Sequence, residues 1–336
     1  MRRWPERPDR ISTHISKGVE LRAPSPGPVS FDPSAVVSLI VSRVLVTGAS
    51  GQLASTIVAA FHDCDVVAVT RSELDVTDPD AVNHVVRDVR PTLIVNGTAF
   101  NDVDGAEARP LEALDVNAFA VRSLARAAES VSATLVHYST DFVFDGTAST
   151  PYDEEVRPAP ASTYAASKLL GEWFALDAPG SFVLRVESLF GAPPPWSGRR
   201  GTLDHILDGL VHGREVTVFT DRVVSPSYVV DVAAATRHLV TTGAAPDLYH
   251  AVNTGFASWH DVAAAVAGMI GVVPRLKPIT MDQVSMKAAR PRFCALANDK
   301  LAAAGFRMPT WRDALSRWIA SRAAVDTGKP ASREAL

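Results

Sequence analysis

A doubly wound α/β fold, with a parallel sheet covered by helices on both faces, is predicted by three features of this 336-residue sequence. Short runs rich in β-branched residues alternate with stretches of helical period. The runs are apolar throughout rather than alternating with polar residues, as strands buried on both faces must be. The first run leads into a glycine turn and then a helix.

The elements follow in order. RVLVT, from Arg43, is the first strand, and QLASTIVAAFH the helix after its glycines. DVVAVT is the second strand, PDAVNHVVRDV a helix and TLIVN the third strand. RPLEALDVNAFAVRSLARAAES reads as one long amphipathic helix, followed by the strand ATLVHYST. ASTYAASKLLGEWFALD is a helix and SFVLRVE another strand. The second half is less regular. GAPPPWSGRRG is a Pro/Gly loop, TLDHILDGLVHG a helix and EVTVF a strand, and LYHAVN is expected to rejoin the first sheet. SWHDVAAAVAGMI is a helix whose serine is placed to cap it. WRDALSRWIASRA closes the fold.

The first 40 residues are rich in Pro, Arg and Ser without sustained period, so a disordered extension is expected over 1–40. A flexible tail is expected over 325–336. Between them, residues 41–190 with about 224–253 read as a nucleotide-binding domain. About 191–223 and 254–324 read as a smaller, discontinuous C-terminal domain.

The net charge of −4, with both signs scattered, lacks the basic footprint of a nucleic-acid binder. No run of about 18 apolar residues suggests a membrane span. Two cysteines, Cys64 and Cys294, are far apart, and no metal-ligand spacing appears, so no metal is expected. His137, His205, His212 and His250 share no such spacing and read as structural. A cytoplasmic location fits this cysteine usage.

The chemistry begins at 46-VTGASGQLA-54. Gly48 permits a tight turn, Gly51 lets backbone approach a pyrophosphate, and Ala54 lets helix and strand pack closely. Backbone N–H groups at the helix N-terminus then face the phosphates. This makes the first domain Rossmann-type. A carboxylate at the end of the second strand would select NAD, whereas an Arg accommodates the NADP 2′-phosphate. Here Thr70, Arg71 and Ser72 occupy that place, which favours NADPH, with NADH as the alternative. Asp75 and Val76 follow in a turn suited to the adenine.

Tyr164 and Lys168, in 162-STYAASKLLGEW-173, lie four apart and so share one helix face. A tyrosine with a pKa of about 10 is a poor proton donor or acceptor near neutrality. A neighbouring ammonium stabilises the phenolate, and lysine can also hold a ribose hydroxyl. Just upstream, 138-YSTDFVFDG-146 ends a strand where open α/β sheets place ligands. Ser139 or Thr140 is positioned there to donate to a substrate carbonyl.

Together these segments resemble the extended short-chain dehydrogenase/reductase family, and within it the dTDP-4-dehydrorhamnose reductase family. The resemblance runs from about Arg43 to Arg317 and includes FNDVDGAE, STDFVFDG, YAASKLLGE, SPSYVVDVA and RPRFCAL. It implies an NADPH-dependent reductase of a nucleotide-linked 4-keto-6-deoxy sugar, with hydride going to C4. In that reading Tyr164 protonates the sugar oxygen, Lys168 lowers its pKa and binds the nicotinamide ribose, and Thr140 polarises the ketone with Asp141 beside it. Gly48, Ser50, Gly51, Gln52 and Leu53 line the pyrophosphate, Arg71, Asp75 and Val76 the adenosine end, and Asn96, Gly97 and Thr98 the cofactor's middle. Substrate contacts fall to Asp102, Asp104, Ser139, Glu187 and Arg290. Asp141 has a second reading, as a turn cap. Arg199 and Arg200 are either diphosphate ligands or part of a solvated loop.

The sequence departs from the family at 96-NGTAF-100, 185-RVESLFG-191 and 221-DRVVSPS-227, where the sugar should bind, so its identity stays open. An epimerase or dehydratase on the same scaffold, and a non-catalytic nucleotide-binding regulatory subunit, are the competing functions. A homodimer is compatible with any of them.

Overall fold

The computed structural model describes residues 41–191 and 200–326. The expectations for residues 1–40 and for Arg199 lie outside them, as does most of the expected tail. In chain order the elements open with β1 (Arg43–Thr47), α1 (Gln52–Ala60), β2 (Asp65–Val69), α2 (Pro79–Val89) and β3 (Leu93–Asn96). Next come α3 (Val103–Ala108), α4 (Pro110–Leu114), a π turn at Asp115–Phe119, α5 (Ala120–Ser130) and β4 (Thr134–Thr140). A 3₁₀ turn at Asp141–Val143 precedes α6 (Thr163–Leu176) and β5 (Phe182–Val186). They are followed by β6 (Leu189–Phe190), α7 (Thr202–Val211), β7 (Val216–Phe219), β8 (Val223–Val224), β9 (Ser227–Tyr228), α8 (Val229–Thr241) and β10 (Leu248–His250). The chain closes with β11 (Ala257–Ser258), α9 (Trp259–Ile270), β12 (Leu276–Ile279), α10 (Asp299–Ala303) and α11 (Trp311–Asp326). The first two residues of the expected tail therefore belong to α11.

Six strands form one sheet in the order β10-β5-β4-β3-β1-β2. All its pairings are parallel. LYHAVN thus joins the first sheet as its late edge strand. The sheet needs apolar cover on both sides, and the helices supply it. Ile57 and Phe61 of the α1 segment pack with Val232 and Leu239 of α8 on one face. Val82 and Val86 of α2 pack with Leu124 of α5 on the other. Each fully buried aliphatic or phenyl side chain of this kind contributes about 1.5–3 kcal/mol. A further core unites Ile206 and Leu210 of α7, Val262 and Val266 of α9, and Trp318 of α11, beside the β7–β12 pair.

The strand order reverses at β1. Thr47 pairs in register with Asn96, and Thr140 with Val186, so four strand ends open onto one crevice. That is where an open α/β sheet receives ligands.

One element differs from its expectation. The long helix predicted over RPLEALDVNAFAVRSLARAAES is broken by the π turn at Asp115–Phe119. The cause is tertiary. Asn117 turns inward, where its Oδ1 accepts from Phe100 N (2.8 Å) and its Nδ2 donates to Phe100 O (3.2 Å) and Ser167 Oγ (2.9 Å). Helix α6 comes so close that a Cβ on Gly171 would lie 2.1 Å from Asn117 O. Single π turns of this kind recur beside functional sites.

His137 and His250 are buried, as structural histidines should be. His137 Nδ1 lies 3.1 Å from Asn96 Nδ2, and His250 Nδ1 lies 3.0 Å from Ala297 O. Burial drives His137 well below its ordinary range, and burial with the Arg185 charge takes His250 to about 3, so both rings are neutral.

Candidate active site

The crevice holds a cavity of about 450 Å³ lined by Gly51, Gln52, Leu53, Asn96, Gly97 and Thr98 on one side. Ser139, Thr140, Asp141, Tyr164 and Lys168 line the other side. A second cavity of about 240 Å³ shares Gly51, Gly97 and Thr98 with the first and continues to Gly48, Ser50, Arg71, Asp75 and Val76. Every residue expected to hold the cofactor therefore lines one continuous surface.

Local sequence explains its shape. Gly48 has φ +65°, and a Cβ there would lie 2.9 Å from Thr98 Oγ1 and 3.0 Å from the Gly97 backbone. A Cβ on Gly97 would lie 2.6 Å from Ala54 Cβ, so that glycine, with Ala54, sets how closely β3 approaches α1. Gly51 caps α1 without a side chain, which leaves the first-turn N–H groups and the positive helix end facing the cavity. Thr47 Oγ1 donates to Asn96 Oδ1 (3.0 Å), which also accepts from Thr98 N (3.1 Å), so the strand ends are pinned together. These features fit a dinucleotide: a glycine cradle where any side chain would intrude, an anion-favouring helix end, and an elongated pair of cavities.

Tyr164 and Lys168 reach the cavity from α6, whose first turn is capped by Ser162 Oγ accepting from Ala165 N at 3.3 Å. The Tyr164 ring meets Phe142 edge-on, with centroids 5.6 Å apart. Burial pushes its phenol above the ordinary range, the Asp141 carboxylate adds to this, and the Thr140 hydroxyl opposes it. Lys168 Nζ donates to Tyr138 O at 2.5 Å. Burial takes its ammonium down to about 8, against the pull of Glu172. The expected lowering of the tyrosine by Lys168 is thus not what governs the phenol here. One of the three ammonium N–H groups goes to a main-chain carbonyl, and desolvation dominates the phenol.

Thr140 Oγ1 donates to Asp141 Oδ1 (2.9 Å) and accepts from Phe142 N (3.2 Å). Thr140, rather than Asp141, is the cap of the 3₁₀ turn, and Asp141 faces the cavity.

Four of the expected substrate residues do not line the cavity. Asp102 caps α3 by accepting from Gly105 N (2.9 Å) and pairs with Arg109 at 3.3 Å. Asp104 and Arg290 are bound to each other at 2.8 Å, which ties α3 to the segment around Ala288, and this pairing holds Asp104 well below the carboxylate range. Glu187 is buried, and its Oε2 accepts from Ser225 N at 2.8 Å. Arg200, of the loop pair, lies 3.9 Å from Asp208 on an exposed surface.

The cavity also uses residues that the sequence reading did not assign. Arg222 lines it and lies over the Phe142 ring at 5.5 Å, and Ser188, Thr202 and Trp259 complete that wall. Arg222 lies in 221-DRVVSPS-227, one of the segments that depart from the family, and that departure is the signal that could have marked it.

Residues 42–323 match the model of the RmlD substrate binding domain family. The chain is 36% identical over 309 residues to a dTDP-4-dehydrorhamnose reductase of Mycobacterium tuberculosis, covering 87% of this chain and 98% of that one. It is 36% identical over 284 residues to a dTDP-4-keto-6-deoxy-D-glucose reductase of Streptomyces niveus, covering 82% and 96%. Among solved structures, a dTDP-4-dehydrorhamnose reductase of Bacillus anthracis in complex with NADP superposes with a TM-score of 0.78 at 31% identity, covering 83% of this chain and 99% of that one.

Proposed function

The chain belongs to the RmlD substrate binding domain family, and from that premise we propose that Tyr164, Thr140 and Lys168 reduce the C4 ketone of a nucleotide-linked 4-keto-6-deoxy sugar at the expense of NADPH. The observation that carries this reading is the convergence of Thr140, Tyr164 and Lys168 on the same cavity as the glycine cradle. NADPH, when bound, supplies the hydride. Gly48, Ser50, Gly51, Gln52 and Leu53 would hold its pyrophosphate, Arg71, Asp75 and Val76 its adenosine end, and Asn96, Gly97, Thr98 and Lys168 its nicotinamide half.

The chain's own groups do the rest. Tyr164 donates to the sugar's keto oxygen, where negative charge develops, and the Thr140 hydroxyl would turn from Asp141 Oδ1, which it holds in this structure, to donate there as well. Tyr164 gives its proton to that oxygen. A phenol kept protonated by burial is in the right state to do so at neutral pH. Lys168 stabilises the phenolate that remains. We assign the sugar nucleotide to the wall formed by Arg222, Thr202 and Trp259, and so substrate binding to the smaller C-terminal domain. The test is NADPH absorbance with a dTDP-4-keto-6-deoxyhexose. Consumption with equimolar reduced sugar supports the reading, and bound but unconsumed NADPH overturns it.

Arg71 lines the adenosine end. Arg71→Ala is expected to raise KM for NADPH by about ten- to a hundred-fold, the worth of one charged hydrogen bond to phosphate, and to leave KM for NADH nearly unaltered. Equal effects on both cofactors would remove Arg71 from the 2′-phosphate site.

Among the described residues no helix is long and apolar enough to cross a membrane. We place the protein in the cytoplasm, which suits its two free cysteines. Phe119, Trp173 and Leu176 stand 39%, 60% and 40% exposed, which supports a homodimer through this face. Sedimentation should then show a dimer that Trp173→Glu converts to monomer; a monomeric wild type would dismiss the interface.

A further inference from the structure

Behind the Thr140 hydroxyl lies a cluster that the reaction outlined above does not use. Asp141 from the 3₁₀ turn, Glu187 from the end of β5 and Cys294 from the segment before α10 bring one ligand-type atom each within 4.8 Å of the others. Asp141 and Glu187 are 3% and 2% exposed, and Cys294 is fully buried. Asp141 Oδ2 and Glu187 Oε1 have no hydrogen-bond partner among the described residues. The charged and titratable groups facing the pair are the Arg222 guanidinium, the Cys294 thiol and the Tyr164 phenol.

The charges do not balance if both carboxyls ionise. Two carboxylates against one guanidinium leave a buried net charge of minus one, which the protein interior strongly disfavours. Asp141 Oδ2 and Glu187 Oε1 are both buried acceptors beside Arg222, whose Nε is the one donor near them without a partner among the described residues, so a proton held by the carboxyl pair supplies the donor that is still lacking. Burial raises both acids, Glu187 well above the carboxylate range, helped there by the charge of Asp141. Carboxyls sharing one site behave in this way.

We propose that Asp141 and Glu187 share one proton between Oδ2 and Oε1, which cancels a negative charge beside Tyr164. Glu187 is then a positioning residue. Its proton leaves Asp141 Oδ1 free to hold Thr140, as observed, while removing net charge from behind the oxygen where an oxyanion develops. Were the proton lost, that charge would oppose the oxyanion and hold the Tyr164 proton more tightly. The role rests on Tyr164 being the acid; the proton itself does not. A divalent metal would also balance the charge, but it would need the Cys294 thiol, which burial and both carboxyls push well up, to ionise beside them.

The test is infrared spectroscopy of the full chain at neutral pH, with H/D exchange to mark protonated carboxyls, together with elemental analysis. The wild type should show a protonated-carboxyl band from one group. Glu187→Gln should lose it, because Asp141 alone against Arg222 is ionised. In the holoenzyme kcat should fall about ten-fold or more as the band titrates away at high pH, beyond the limb due to Lys168 that Glu187→Gln retains. Absence of the band in the wild type, a band unaltered in Glu187→Gln, or one divalent ion per chain would each overturn the shared proton. The wild-type spectrum decides the matter even if the variant does not fold. Failure to reduce a keto sugar with the band intact would strike the proposed function and spare the proton.

Discussion

Tyr164→Phe is expected to lower kcat by about 10²- to 10⁴-fold while NADPH binding persists, the range that a positioned general acid supplies. The substitution removes one oxygen and keeps the ring that meets Phe142 edge-on at 5.6 Å, so α6 should fold as before. The sugar oxygen then faces hydride transfer without the hydroxyl positioned to protonate it. Stopped-flow absorbance would separate the outcomes. Normal NADPH binding with a slow chemical step supports Tyr164 as the acid. Unaltered turnover would pass that role to another group and leave the Tyr164–Thr140 arrangement without a function.

The second large effect concerns stability. Arg185 of β5 makes a two-pronged ion pair with Glu172 of α6, both contacts 2.8 Å, with the side chains 3% and 1% exposed. The guanidinium also lies over the Phe144 ring at 5.0 Å. Removing one partner strands a buried charge. Glu172→Ala is therefore expected to cost about 3–5 kcal/mol, whereas replacing the pair by Leu and Met should recover much of that loss. Urea unfolding would measure both. A loss below about 1 kcal/mol for Glu172→Ala would show that water reaches Arg185. The pair also bears on catalysis, because the Glu172 charge holds the Lys168 ammonium up against burial. Without it Lys168 would shed its proton at lower pH.

How much of this was legible follows from the range of the forces. The strands were readable because each is apolar on both faces, a local property. The glycine turn was readable because φ +65° at Gly48 and the contacts at Gly97 admit little else. Tyr164 and Lys168 lie one turn apart, so helical period alone brings them to one face. The π turn was not legible, since it depends on Asn117 meeting Phe100 and Ser167, the latter fifty residues away. Glu187 was assigned to the substrate through the family resemblance alone. Its hydrogen bond to Ser225 and the approach of Arg222, from another part of the chain, turn it behind Asp141. Asp104 and Arg290 were both placed at the site edge, but their charges satisfy each other across 186 residues. The proximity of Cys294 to two carboxyls left no trace in spacing, because three separate elements deliver the three groups.

The central claim is hydride delivery to the sugar by this cavity, and isotope transfer tests it most directly. The enzyme would be given NADPH deuterated at the transferable position and a dTDP-4-keto-6-deoxyhexose, and the product examined by NMR. The account predicts one deuterium at C4 of the reduced sugar for each NADPH consumed, and the configuration at C4 would identify the product. A protein that binds NADPH and transfers no deuterium to C4 would contradict it.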